Sequence, residues 1–385
     1  MKANSKMKVV VVTSYPLIEP VVANRMIPFL NGFLEDGREV HYLCPSSDGK
    51  PVSFPHSVRV HEVALSLEKP AGFFGRALKE MKDAFKLLKT ARKVDASVYL
   101  VTAPSMFLIF LSPLLLLKYK VVLDIRDLSW EYLSDQKVSQ RFAKYLFRII
   151  FERALGFFEV VSVTNDTEYK YVSRKMRQRR DVIQVSNGVS QLQFERLSKV
   201  EPSQNESMVV SYIGNVGLAQ DLSTLVKVAA LRPKIKFKII GAGNDLHRVQ
   251  ELSKRLQLVN VEFVGRVPWE EVIYYYNQSD VLYAQLAPCF SGAMPSKLYE
   301  YLATGKHIIY GGGDQAQRIL MEFSNYQLVE PCDPYKLVGA LDAANKMKVA
   351  SFISMKDREK VADKYIRENQ VIKLRDALRA MEANL

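Results

Sequence analysis

With 385 residues, 48% of them hydrophobic and 25% charged, the chain is too apolar to be disordered and long enough for two separately cored domains. Three widely spaced cysteines, Cys44, Cys289 and Cys332, exclude a disulfide framework and a structural zinc site, and point to a reducing compartment. A net charge of +13 calls for an anionic partner, but no aromatics are interleaved with the basic runs, so a nucleotide or anionic lipid is expected and nucleic acid is not.

Lys8 to Thr13 reads as a continuous apolar strand, the kind covered on both faces of a parallel sheet. The run is too short for a signal peptide. A loop leads into a helix from about Arg25 to Asp36, ended by Gly37. Further strands are expected at Glu39–Leu43, Val58–Val63 and Ser97–Val101. In such a doubly wound α/β pattern ligands bind beyond the carboxyl ends of the strands, which makes Arg25 a candidate site residue, although a solvated helix position fits it equally. Met106–Leu117 is interrupted by Ser112 and Pro113 and too short to span a bilayer, so a buried helix is expected there.

The stretch from Gly72 to Lys93 carries an apolar stripe, Leu78, Met81, Phe85 and Leu88, at helical spacing. Beside it run Lys79, Lys82, Lys86, Lys89 and Lys93, with Phe73 and Phe74 leading. That pattern fits a helix lying on an anionic membrane, and equally an outer helix of the sheet with a solvated lysine face. The cluster Arg174–Arg180 either adds to such a patch or is a solvated helix end.

Val121–Trp130 is a strand that delivers Asp124, Arg126 and Asp127 at its carboxyl end. Unpaired charge is costly there, so either a site or an internal Arg–Asp pair explains it. The two aspartates are not spaced as a D-x-D metal motif. Strands at Val160–Thr164 and Val182–Val185 complete an N-terminal domain over residues 1–200. Polar, unpatterned Lys199–Ser207 reads as the linker to a second domain over residues 208–355. Residues 356–385 form a helical tail expected to pack back on the first domain.

In the second domain, strands end in glycines: Met208–Ile213 before Gly214, Asn215 and Gly217; Phe237–Ile240 before Gly241 and Gly243; Val261–Val264 before Gly265 and Arg266. Such glycines let backbone approach a ligand, but no full G-x-G-x-x-G is present. The strand Val281–Leu286 leads through Pro288–Pro295 into a helix from about Ser296 to Gly305, and then the strand His307–Tyr310. Lys297 and Glu300 project from one face of that helix. Its N-terminus with a lysine suits a phosphate, and a carboxylate one turn on suits a ribose diol. An ordinary surface Lys–Glu pair has the same spacing.

Three segments carry a resemblance: Pro295-Ser-Lys-Leu-Tyr-Glu-Tyr-Leu-Ala-Thr-Gly305, Tyr212-Ile-Gly-Asn-Val-Gly-Leu-Ala-Gln220 and Asp124-Ile-Arg-Asp-Leu-Ser-Trp-Glu131. Together they resemble the GT-B glycosyltransferases of family 4, in the subgroup that makes bacterial surface polysaccharides, over almost the whole chain. The resemblance implies two Rossmann-like domains facing across a cleft. It implies a retaining, metal-independent enzyme with no cofactor, moving a sugar from a nucleotide-diphospho-sugar, expected to be UDP-linked, to a lipid-linked or saccharide acceptor. It places Pro295, Ser296, Lys297 and Glu300 at the donor, Glu300 matching the second glutamate of the family's E-x7-E motif. The first falls at Gly292, a departure that leaves the sugar open. The Arg/Lys pair that often binds the diphosphate is not evident, and Lys297 is the substitute. Lys297, Arg126 and Asp127 are the catalytic candidates. A nucleotide-sugar epimerase or an inactive partner subunit are the alternatives. A cytoplasmic enzyme is expected, with peripheral attachment to the inner face of the cell membrane through Phe73, Phe74, Lys79, Lys82, Lys86 and Lys89 as an option.

Overall fold

A computed structural model describes residues 7–383 apart from 20–21, 48–53, 67–69, 71, 103–104, 127, 129–137, 177–180 and 291–294. Two compact units divide the chain: residues 1–187 with 367–385, and residues 188–366. Each is built on one parallel sheet with helices on both faces.

The first sheet comprises β1 (Lys8–Val12), β2 (Glu39–Pro45), β3 (Arg59–Val63), β4 (Val98–Thr102), β5 (Lys120–Asp124), β6 (Val160–Val163) and β7 (Asp181–Gln184), in the order β3-β2-β1-β4-β5-β6-β7. The run of valines in β1 serves two cores because successive side chains point to opposite faces. Val9 and Val11 pack with Phe29 and Leu30, and Val10 and Val12 with Leu88, Ile109 and Phe151. The last helix, Arg367–Ala383, completes the first of these cores with Val371, Leu374 and Leu378. Arg375 and Arg379 fasten it to Asp36, at 2.5 and 2.6 Å.

The second sheet comprises β8 (Val209–Ile213), β9 (Lys236–Ile240), β10 (Val261–Gly265), β11 (Val281–Gln285), β12 (His307–Gly311) and β13 (Tyr326–Val329), in the order β10-β9-β8-β11-β12-β13. The direction of winding reverses between β8 and β11, which makes that the switch point of this sheet.

Three expectations are corrected. The division falls at Asn187/Gly188, not at 200–208, because Val189, Leu197 and Val200 are buried in the second unit's core. The supposed linker lies along that unit, pinned by Asn205 Nδ2 to the Gln278 carbonyl at 2.9 Å and by the Glu201 amide to Asn277 at 3.0 Å. Its polar sequence reflects hydrogen bonding rather than freedom. The tail is split: the helix Met355–Lys364 stays with the second unit, where Arg358 donates to the Thr304 carbonyl, and only Arg367–Ala383 joins the first. Finally, the helix Met106–Leu115 buries Met106, Leu108 and Ile109 but leaves Leu114 and the following Leu117 largely exposed.

Candidate active site

The loops after β8 and β11 flank the switch point of the second sheet, and the side chains singled out as donor-binding are on them or on their neighbours. After β11 the chain passes through Pro295 and exposed Ser296 into the helix Lys297–Thr304. Gly305 stops the helix in the left-handed conformation, φ 69°, as its sequence suggested. Buried Tyr301 ties this helix to β8, since its hydroxyl receives the Ile213 amide at 2.7 Å and lies 3.1 Å from the Ile213 carbonyl.

Glu300 is 6% exposed, which separates it from an ordinary surface pair. Both its oxygens lie 2.9 Å from Lys297 Nζ, and the Tyr276 hydroxyl donates to Oε2 at 3.2 Å. Burial, reinforced by the carboxylate beside it, pushes the Tyr276 hydroxyl well above its ordinary pKa, so it remains a donor. The Lys297 side chain is 35% exposed. A buried carboxylate is thus held by two donors, one of which reaches solvent and is free to take another anion. Tyr276 escaped the sequence reading, because one tyrosine of the run Tyr274–Tyr276 cannot be told from the others without the fold.

The glycine loops form the floor beside it. The Gly214 amide donates to the Ile240 carbonyl at 2.9 Å and the Val216 amide to the Ala242 carbonyl at 3.0 Å, so the ends of β8 and β9 are knitted backbone to backbone. At Gly241, φ 148°, a Cβ would sit 1.7 Å from the Gly214 carbonyl oxygen, and at Gly243 it would sit 2.1 Å from that of Val216. Only glycine fits this approach. A Cβ on Gly214 would lie 3.5 Å from Lys297 Cγ, which places Lys297 directly over the loop. The Gly217 amide and Asn215 Nδ2 share Gln220 Oε1, at 3.2 and 3.5 Å. Arg266 follows β10 and is exposed. Arg248, not singled out in the sequence, is bound to Asp221 and Asp245 at 2.7 and 2.6 Å.

In the first unit the expected acceptor-side residues divide. Arg25 is 5% exposed and built into the fold: its guanidinium makes a two-point pair with fully buried Asp124, at 2.6 and 3.0 Å, and donates to the Val185 carbonyl and Asn187. Asp124 also receives the Ser162 and Thr102 hydroxyls. Burial opposes its charge, but Arg25 and Ser162 outweigh that and hold its pKa below the usual carboxylate value. The internal Arg–Asp pair left open by the sequence is therefore realised, with Arg25 as partner, and the solvated helix position also allowed for Arg25 is corrected to a buried one. Arg126 is half-buried, its guanidinium carbon 5.6 Å from the Tyr15 ring centroid, and its Nε has no hydrogen-bond partner among the described residues. Asp127, Gly292 and the segment 177–180 lie outside the described residues. Among those described, no cluster of three or more His, Cys, Asp or Glu is placed to hold a metal ion.

Comparisons with known proteins agree with the fold. Residues 193–365 match the family described as Glycosyl transferases group 1. Sucrose-phosphate synthase from Thermosynechococcus elongatus is similar in structure, with a TM-score of 0.77 at 15% identity, covering 99% of this chain and 100% of that one. The Anabaena protein HepE in complex with UDP and glucose gives 0.68 at 14% identity over 97% and 99%. The lipopolysaccharide outer core galactosyltransferase WaaB gives 0.67 at 15% over 97% and 100%. No curated protein matches by sequence. The chain therefore has the GT-B fold, and its residues 193–365 are similar to the family described as Glycosyl transferases group 1.

Proposed function

We propose that the chain transfers a sugar from a UDP-linked donor to a lipid-linked or saccharide acceptor, with retention at the anomeric carbon and without a metal, in the synthesis of a surface polysaccharide. The observation that carries this reading is Glu300, buried yet paired with a half-open lysine beside the Gly214 loop. On arrival of the donor, Lys297 exchanges the carboxylate for the diphosphate, and Glu300, still held by Tyr276, accepts the ribose hydroxyls. The bond from the anomeric carbon to the diphosphate oxygen breaks and a bond to the acceptor oxygen forms. The acceptor proton passes to the leaving diphosphate. Lys297 and the helix N-terminus stabilise the charge that develops on the leaving group. Arg126 and Asp127 are proposed for the acceptor side.

The UDP assignment is supported by HepE, whose structure holds UDP and glucose. A thermal-shift panel of UDP, GDP, ADP, CDP and TDP tests it. A nucleotide at a hundred times its dissociation constant stabilises by about 2.7 kcal/mol. Stabilisation by UDP alone, lost in Glu300→Gln, is the expected result. Selective stabilisation by another nucleotide would replace UDP, and none at all would remove the donor site from this helix.

A further inference from the structure

Three helices of the first unit, Phe73–Ala91, Met106–Leu115 and Val138–Ala154, lie on one face of its sheet, with the second between the other two. Their inner residues, among them Leu88, Ile109 and Phe151, share one core. What they turn outward is unusual. In the first helix, packing is done by Ala84, Leu87, Leu88 and Ala91, whereas Phe74, Leu78 and Phe85, about a quarter-turn round at ~100° per residue, are 76%, 49% and 46% exposed. An outer helix with a solvated lysine face would have buried that stripe. In the third helix, Val138, Phe142, Tyr145 and Leu146 recur at i, i+4, i+7 and i+8, and all are exposed. Phe147, Phe151 and Ala154 pack inward on nearly the opposite side. Leu114 on the middle helix is exposed as well.

Both outer helices carry surplus positive charge beside these stripes. The first has five Arg or Lys against two Asp or Glu, and the third four against one. Lys79 is paired with Asp83, but Lys82 and Lys89 border the apolar stripe, with the Lys89 ammonium 6.0 Å from the Phe85 ring centroid. Arg141 and Arg148 border the other stripe. Apolar rows flanked by cations suit lipid tails below and phosphate headgroups above. Among the described residues no helix is long and apolar enough to cross a membrane, so such contact is along the surface.

We infer that this three-helix face docks on an anionic lipid bilayer. The inference rests on exposure and charge in the first unit and does not depend on the reaction at Glu300.

Flotation of the full chain with phosphatidylglycerol–phosphatidylcholine vesicles, and with phosphatidylcholine alone, tests it. Binding to the anionic vesicles only, released by salt, is expected. Each basic side chain removed lowers the partition about fivefold, so Lys82→Glu with Lys89→Glu costs more than tenfold. Phe74→Ser with Phe142→Ser, both at exposed positions, lowers it by a similar factor at an unchanged melting temperature. Should that pair misfold, the lysine pair decides alone. No flotation at low salt, equal flotation with neutral vesicles, or a dimer in sedimentation that the phenylalanine pair abolishes would overturn the inference, the last by assigning the face to a second copy.

Discussion

Arg25–Asp124 in the first unit and Lys297–Glu300 in the second are both basic–acidic pairs beyond the carboxyl ends of parallel strands, with a fully or nearly buried carboxylate in each. Their cations differ. Arg25 is enclosed and its donors are taken up by Asp124, Val185 and Asn187, so the pair can only join strands. Lys297 stands over a glycine loop with one side in water, and its single donor group can leave Glu300 for another anion. Enclosure of the cation, rather than burial of the acid, separates structural cement from a ligand site.

The comparison breaks first, if it is wrong, at Asp124→Ala. Leaving a buried guanidinium unpaired costs about 3–5 kcal/mol, read as a lower urea midpoint, and adding Arg25→Met should recover most of it. The same loss in Lys297→Met would erase the distinction. Next in size, Glu300→Gln should weaken UDP binding by calorimetry about 10- to 100-fold, since a hydrogen bond to a charged group is worth about 1.5–3 kcal/mol, with a smaller loss of stability than at Asp124. Acid sharpens the contrast further. Because the folded pKa of Asp124 is depressed, its contribution is complete above the unfolded value near 3.9 and is lost as pH falls through the lower folded value. Melting curves taken downward from about pH 5 should therefore show stability falling in both proteins, because Asp36, Asp221 and Asp342 are depressed as well, but less steeply in the Arg25→Met, Asp124→Ala double variant. Smallest of all, Lys297→Met should cost less stability than Asp124→Ala, because Tyr276 still donates to Glu300 and water can enter where the half-exposed lysine stood, while still weakening UDP binding.

Much of this was legible in the sequence because parallel-sheet strands are continuous apolar runs that end in glycine. Twelve of the strands lie where such runs were read, most with ends shifted by one or two residues, although β5 stops at Asp124 rather than running on to Trp130. β13 was missed because Tyr326-Gln-Leu-Val329 is a half-buried edge strand with no unbroken apolar run. The Lys297–Glu300 spacing was visible, but the burial of Glu300 was not, since it depends on Tyr276 from a helix 24 residues away. Likewise Asp124 announced a charge in need of a partner, and nothing local named Arg25, 99 residues earlier. The apolar stripe Leu78, Met81, Phe85 and Leu88 fitted a membrane helix and an outer helix of the sheet equally, and only the assembled sheet shows that Leu88 alone of the four is buried in the core.

The helix Arg367–Ala383 also orders events on the ribosome. Val371, Leu374 and Leu378 complete the core begun by Val9 and Val11, whereas residues 188–366 contain everything the second unit packs against itself. Synthesised from the N-terminus, the unit made first must wait with one sheet face only partly covered until the helix Arg367–Ala383 emerges, and the unit of residues 188–366 can close before it. For that interval Phe29, Leu30 and Phe33 lack their final cover, so the nascent chain presents a chaperone substrate that the finished protein does not.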